Sequence, residues 1–182
     1  MEKEKIEFVK SKVRNIPDFP VKGIQFKDLT TALKDPESMR IMCDALTELY
    51  ADKGITKVVG IEARGFIFGA ILAERLGAGF VPLRKPGKLP AKTIKKTYTK
   101  EYGEDTIEIH EDAINENDVV LMHDDLLATG GTMAAALDLL QTMNPAKIYV
   151  NFICELGFLN GRKLFPADVE VTSLFDFERV KL

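Results

Sequence analysis

The sequence predicts an α/β fold built on a mainly parallel central sheet. Three observations point there. Short apolar runs such as "KVVGI" and "DVVLMH" lack strict alternation, which suits strands covered on both faces. Longer segments with apolar residues three and four apart read as helices between them. Gly and Pro stand at the junctions. Strands and helices that alternate in this way are joined by crossover connections in a parallel sheet.

Each element follows in order. Residues 3–14 read as a helix, and "NIPDFPVKG" (15–23) as a Pro-rich extended lead-in. In "DPESMRIMCDALTELYADKG", Asp35 caps a helix and Pro36 takes its first position. Met39, Met42, Cys43, Leu46, Leu49 and Tyr50 make its apolar face, and Gly54 ends it. "KVVGI" is a buried strand, "FIFGAILAERLGA" a helix closed by Gly77, and "GFVPL" a strand that opens into a long loop. "TIEIH" is a short alternating strand, and "DVVLMH" a buried one that ends at two aspartates. "TMAAALDLLQTM" is a helix, and "KIYVNFICEL" and "VEVTSLF" are the last strands. No repeat or low-complexity tract interrupts the series.

Composition narrows the function. The 182 residues suffice for one domain with a substantial core. Apolar residues are 46% and charged residues 29%, as in ordinary globular proteins. A net charge of −3 argues against a nucleic-acid partner, which calls for a basic face. The opening "MEKEKIEFVKSKVR" lacks the apolar centre of a signal peptide, and no stretch nears the roughly 18 apolar residues of a membrane helix. Cys43 and Cys154 lie far apart among apolar neighbours, as buried thiols do, and two Cys with two His do not make a structural zinc site. The expected compartment is the cytoplasm.

In open α/β sheets, ligands bind outside the carboxyl ends of the strands. Three predicted loops leave such ends: 62–66, 84–97 and 124–132. In "VVLMHDDLLATGGT" (119–132), a strand runs through Asp124 and Asp125 into a Gly-Gly turn and a helix start. Amides at that helix start and the helix dipole favour an anion. Gly130 and Gly131 permit close approach and positive φ, and Thr129 and Thr132 add hydroxyls. The two carboxylates can accept from a vicinal diol or hold a hydrated Mg²⁺, and a diol clamp over a phosphate cradle fits a ribose 5-phosphate. A solvated Asp-Asp before a flexible turn is the plain alternative. No Walker-type P-loop occurs in the chain.

The other loops leave more open. Arg64 in "GIEARGFIFG" can meet a phosphate bidentately or cap a surface turn, with Gly65 relaxing the turn. Six cations, Arg84 through Lys96, suit a polyanion or a solvated loop. Phe26 in "GIQFKDLT" can stack on a flat base or anchor the segment in the core. Glu101 lies in the long basic segment between the strands near 83 and 106, with Gly87 and Gly103 as possible hinges. Such a segment reads as a lid, and Glu101 as its acid/base or as one more solvated acid.

These motifs resemble one family. "VVLMHDDLLATGGT" looks like the phosphoribosyl-pyrophosphate motif of type I phosphoribosyltransferases, and "DDLLATGGT" is similar to its form in the adenine-specific branch. The resemblance extends through "IPDFPVKGIQFKDLT", "GIEARGFIFG", "RKPGKLP" and "YTKEYG", over nearly the whole chain. His123, where the family usually has an apolar residue, and Gln25 beside Phe26 depart from it. The glutamate-aspartate form of hypoxanthine–guanine enzymes, with an aspartate where Ala128 stands, is absent.

The resemblance implies one phosphoribosyltransferase domain over 1–182, with 1–34 as a hood for base recognition, 35–182 as the α/β core, and a flexible catalytic loop. It implies conversion of adenine and phosphoribosyl pyrophosphate to AMP and pyrophosphate, as in purine salvage. Asp124 and Asp125 would take the ribose diol, and Ala128, Thr129, Gly130, Gly131 and Thr132 the 5-phosphate. Arg64, Lys85 and Lys88 would take pyrophosphate, and Gln25, Phe26, Lys27 and Leu126 adenine. Glu101 would be the catalytic acid/base. A non-proline cis peptide is expected near Glu62–Ala63. Mg²⁺ would arrive on the substrate, water-bridged to Asp124 rather than bound directly, and the protein would be a homodimer. Two rivals remain: a phosphoribosyltransferase for another purine such as xanthine, and a non-catalytic sensor of phosphoribosyl pyrophosphate.

Overall fold

In the computed structural model, residues 1–19, 22, 25–100 and 103–177 are described. The chain divides into two compact units, Met1–Leu49 and Tyr50–Leu182.

The first unit begins with helix α1, Lys3–Lys12, which stops where Val13 turns extended. Strands β1, Arg14–Pro17, and β2, Gln25–Asp28, pair antiparallel, so part of the lead-in expected to be merely extended is a strand. Arg14 Nη2 and Nε donate to Asp28 Oδ2 at 2.6 and 3.2 Å. Asp28 Oδ1 accepts from the Thr30 hydroxyl and amide and so starts the single-turn helix α2, Thr30–Leu33. The Thr30 hydroxyl, then Arg14, hold the Asp28 carboxyl down at about 2. Helix α3, Pro36–Tyr50, opens as expected: Asp35 Oδ1 accepts from the Ser38 amide at 2.9 Å. It ends at Tyr50, four residues before Gly54, and turns fill the interval before Gly54 takes φ 66°.

The second unit carries the sheet. Its elements are β3 Lys57–Ile61, α4 Gly65–Leu76, β4 Gly79–Leu83, β5 Thr93–Lys100, β6 Gly103–His110, β7 Val119–Leu127, α5 Gly131–Gln141, β8 Lys147–Glu155 and β9 Glu170–Asp176. Two short 3₁₀ turns, Gly157–Leu159 and Gly161–Leu164, lie between the last two strands. Five strands form one sheet in the order β4-β3-β7-β8-β9, parallel at every pairing. All five carboxyl ends therefore lie on one edge. The φ of Gly77, 66°, closes α4 where the sequence predicts.

One strand of this unit was not expected. β5 pairs with β6 antiparallel over the whole of Thr93–Lys100, making a two-stranded ribbon inside what reads as a basic loop. Thr, Ile and Tyr there favour a pleated strand, but three lysines at 95, 96 and 100 mask the pattern. The ribbon is tied to the core through Ile107 and Ile109, which are buried, and through backbone bonds between Arg84 and Glu108.

Period-two alternation divides β7 between two faces. Val120 and Met122 join the main core with Val59, Leu83, Ala136 and Leu140. Burying each aliphatic side chain of this kind contributes roughly 1.5–3 kcal/mol. Leu121, His123 and Asp125 take the other face. His123 stands opposite Asn151, which stands opposite Thr172. These side chains bond in a row: His123 Nδ1 to Asn151 Oδ1 at 2.6 Å, Asn151 Nδ2 to Thr172 Oγ1 at 3.2 Å, and Tyr50 hydroxyl to Thr172 Oγ1 at 2.5 Å. Complete burial pushes the imidazole down to about 4, so it is neutral, and Nδ1–H donates to the Asn151 oxygen. Burial likewise pushes the Tyr50 hydroxyl up to about 12. No helix among the described residues is long and apolar enough to cross a membrane. Cys43 and Cys154 are both buried thiols.

Candidate active site

The carboxyl edge collects the loops after β3, β4 and β7. β7 runs on through Leu127, so the two aspartates sit within the strand rather than beyond its end. They consequently face opposite ways. Asp125, 2% exposed, turns toward the α4 side and accepts from Arg64 Nε at 2.5 Å. Asp124 is half-buried and lines a cleft of about 250 Å³ with Ile61, Glu62, Leu83, Lys85 and Thr132. Asp124 Oδ1 accepts from the Asp125 amide at 2.9 Å. Desolvation, then the neighbouring Asp125 charge, push the Asp124 carboxyl well above the usual carboxylate range.

Below the aspartates the chain enters α5. Sequence reasoning assigns positive φ to Gly130 and Gly131 alike, and the structure corrects this. Only Gly130 is left-handed, at φ 84°, because the helix begins at Gly131, one residue earlier than the sequence indicates. A Cβ on Gly130 would lie 2.8 Å from the Gly161 carbonyl oxygen, whereas one on Gly131 meets nothing within 4 Å. The Gly161–Leu164 turn thus backs the loop, a contact sequence reasoning missed. No side chain caps α5, and its first helical bond is Ala134 N–H to the Gly130 carbonyl at 2.9 Å. The amides of Gly131, Thr132 and Met133 form the anion-attracting helix start. Ala128 and Thr129 precede it, half-buried and exposed respectively.

The β3 loop brings the expected groups to the same edge. The Glu62–Ala63 peptide is cis. Glu62 Oε2 accepts from the Lys85 amide at 2.9 Å and from Arg84 Nε at 3.1 Å. The Lys85 amide, ahead of Arg84, holds the Glu62 carboxyl below its ordinary value. The Arg64 side chain is about half exposed and anchored on Asp125. Gly65 is needed for close packing: a Cβ there would lie 2.7 Å from the His123 carbonyl oxygen, so α4 starts directly against β7. Lys85 pairs with Asp105 of the ribbon, and Lys88 is exposed, its carbonyl accepting from Arg84 Nη1 at 3.3 Å. The Tyr98 hydroxyl lies 2.9 Å from Thr132 Oγ1. Asp105 belongs to no motif and Tyr98 only opens "YTKEYG", so only the missed strand would have aligned them with the cleft.

The structure thus brings Arg64, Lys85, Asp124, Asp125 and the 128–132 loop to one edge. Leu126 is half-buried on β7 opposite Cys154. Gln25, Phe26 and Lys27 lie on β2 in the first unit, all half-buried. There Phe26 packs edge-on against Phe19, with centroids 5.1 Å apart, and Gln25 Oε1 accepts from Asn15 Nδ2 at 2.7 Å. Glu101 falls outside the described residues.

Fold and loops together define a class, that of phosphoribosyl-transferring α/β domains: a family model described as "Phosphoribosyl transferase domain" matches residues 30–175. An adenine phosphoribosyltransferase of Phocaeicola vulgatus is 64% identical over 168 residues, 92% of this chain and 97% of that protein. The crystal structure of adenine phosphoribosyltransferase from Rhodothermus marinus is similar at TM-score 0.90 and 48% identity, covering 97% of this chain and 100% of that one. That of APRTase from Giardia lamblia complexed with 9-deazaadenine is similar at TM-score 0.90 and 43% identity, covering 96% and 98%. The chain belongs to the adenine phosphoribosyltransferase family.

Proposed function

We propose that this chain transfers the phosphoribosyl group of phosphoribosyl pyrophosphate to adenine, giving AMP and pyrophosphate in purine salvage. The observation that carries the reading is the end of β7 and its turn into α5, where the Asp124 carboxylate lines the cleft ahead of a helix start that no side chain caps, on the edge where α/β sheets bind ligands.

The roles follow from charge and position. The amides and hydroxyls of Ala128, Thr129, Gly130, Gly131 and Thr132 take the 5-phosphate. Asp124, which lines the cleft, takes the ribose diol, and Asp125, buried on the other face of the strand, holds Arg64 in place rather than completing the diol clamp expected from the sequence. Arg64, Lys85 and Lys88 stabilise the departing pyrophosphate, where the transition state gathers negative charge as the sugar becomes oxocarbenium-like. Asp124 would hold, through water, the Mg²⁺ carried on phosphoribosyl pyrophosphate, and the ion would offset the charge of the diphosphate. The adenine-binding roles of Gln25, Phe26, Lys27 and Leu126 rest on the family resemblance, as do the homodimer and the division into hood (1–34) and core (35–182). The cytoplasm is inferred from composition and the two thiols.

Glu101 is the proposed acid/base. The position that Ala128 leaves without a carboxylate needs another group to manage the proton on the purine's imidazole side, and general acid/base help is worth about 10²–10⁴-fold. Glu101→Gln keeps size and hydrogen bonding but removes the titratable group. Steady-state assay of AMP formation is expected to give kcat lowered at least about tenfold, with KM for both substrates little changed. Retained kcat with a raised KM would remove the proton-transfer role. Binding of phosphoribosyl pyrophosphate by the wild type with no AMP formed would make the protein a sensor.

A further inference from the structure

Two ribbon residues without an assigned role stand against the cleft. Asp105 Oδ2 pairs with Lys85 Nζ and accepts from the Tyr98 hydroxyl at 3.3 Å. That hydroxyl also meets Thr132 Oγ1 at 2.9 Å. The ribbon is fastened just here. Arg84 N donates to the Glu108 carbonyl and Glu108 N to the Arg84 carbonyl, at 2.9 and 2.7 Å, which aligns the residues next to Lys85 with the strand that carries Asp105. Ile107, two residues on, is buried in the core, and Lys96 Nζ reaches Asp138 Oδ2 on α5 at 3.2 Å. Asp105 is therefore a carboxylate fixed beside a cation of the cleft wall. Its side chain is only 19% exposed, so water screens its charge weakly. Of the other nearby acids, Asp124 faces the cleft as the proposed ribose ligand, while Glu62 is committed to the Lys85 amide and Arg84, and Glu108 Oε2 to the Gly87 amide at 3.2 Å.

We infer that Asp105 sets the affinity of the cleft for pyrophosphate, by competing with the incoming anion for the Lys85 ammonium. The inference rests on the reading of Lys85 as a pyrophosphate ligand. A carboxylate held in this place weakens binding of both the diphosphate end of the substrate and the pyrophosphate product. It thereby opposes retention of the product after transfer. Adenine, assigned to other residues, is unaffected.

The test removes the charge and keeps the shape. Asp105→Asn still offers an oxygen to Lys85 and Tyr98. Inhibition of AMP formation by added pyrophosphate is expected to tighten at least about threefold, with KM for phosphoribosyl pyrophosphate falling in parallel and KM for adenine unchanged. Unchanged or weaker inhibition in a folded variant overturns the inference, because a merely structural partner would not tighten anion binding when removed. Asp105→Ala is measured beside it and is expected to shift the same way. In a Lys85→Met background the effect of Asp105→Asn should shrink to near unity, and an undiminished effect there overturns competition for Lys85. Lys85→Met alone, if it left pyrophosphate inhibition at the wild-type level, would instead sink the assignment of Lys85 itself, a separate failure.

Discussion

Gly130→Val is expected to weaken AMP and phosphoribosyl pyrophosphate binding by at least about a hundredfold, because the cradle geometry depends on this one backbone position. At φ 84° a β-branched residue is strained, and its Cβ would press on the Gly161 carbonyl oxygen from 2.8 Å. Backbone meets backbone there, so no flexible side chain can yield. Either the 128–130 loop moves or the Gly161–Leu164 turn does, and in both cases the α5 amides lose their aim. The strain costs about 1–3 kcal/mol, which a domain of ordinary stability survives. Calorimetric titration with AMP, beside a thermal melt, separates lost binding from lost folding. Gly131→Ala is the comparison: its position is helical and open, so thermal stability should hold or rise by about 0.5–1 kcal/mol. Wild-type AMP affinity in folded Gly130→Val would remove the cradle.

The second large effect belongs to the aspartates. Asp124→Asn together with Asp125→Asn is expected to lower affinity for phosphoribosyl pyrophosphate by more than about tenfold. Charge-assisted hydrogen bonds are worth roughly 1.5–3 kcal/mol each, and amides in the same places lose most of that. The two residues fail differently. Asp124 lines the cleft, and its loss removes a carboxylate from the ligand's side. Asp125 is buried under Arg64, so its loss releases the guanidinium from its anchor at 2.5 Å. Single variants should therefore divide: Asp124→Asn acts on diol-bearing ligands, and Asp125→Asn also weakens pyrophosphate alone. Unchanged nucleotide affinity in the double variant would make the pair structural only.

Much of this was legible in the chain. Strands of the central sheet announced themselves because burial on both faces demands apolar runs, β6 did so by alternation, and Gly77 and Asp35 marked helix ends through local chemistry. β5 stayed hidden because its lysines serve solubility and charge, which periodicity cannot separate from a solvated loop. The two aspartates looked like one clamp in sequence. A strand's period of two sends neighbours to opposite faces, and that separation emerged only once β7 was seen to continue through Leu127. Gly161 and Asp105 act across 31 and 20 residues of chain, on Gly130 and Lys85, and no local pattern encodes such contacts. His123 was visible as a departure from the family, but its partner Asn151 becomes apparent only from the β7–β8 register.

The central claim is that this carboxyl edge joins adenine, in preference to other purines, to a phosphoribosyl group. The most direct measurement is kcat/KM for adenine, guanine, hypoxanthine and xanthine, each with phosphoribosyl pyrophosphate and Mg²⁺ and with product identified by chromatography. Adenine should exceed each of the others by at least about a hundredfold, because a site built to hydrogen-bond one purine edge leaves its own groups unpaired against another. A higher kcat/KM for guanine, hypoxanthine or xanthine would contradict it.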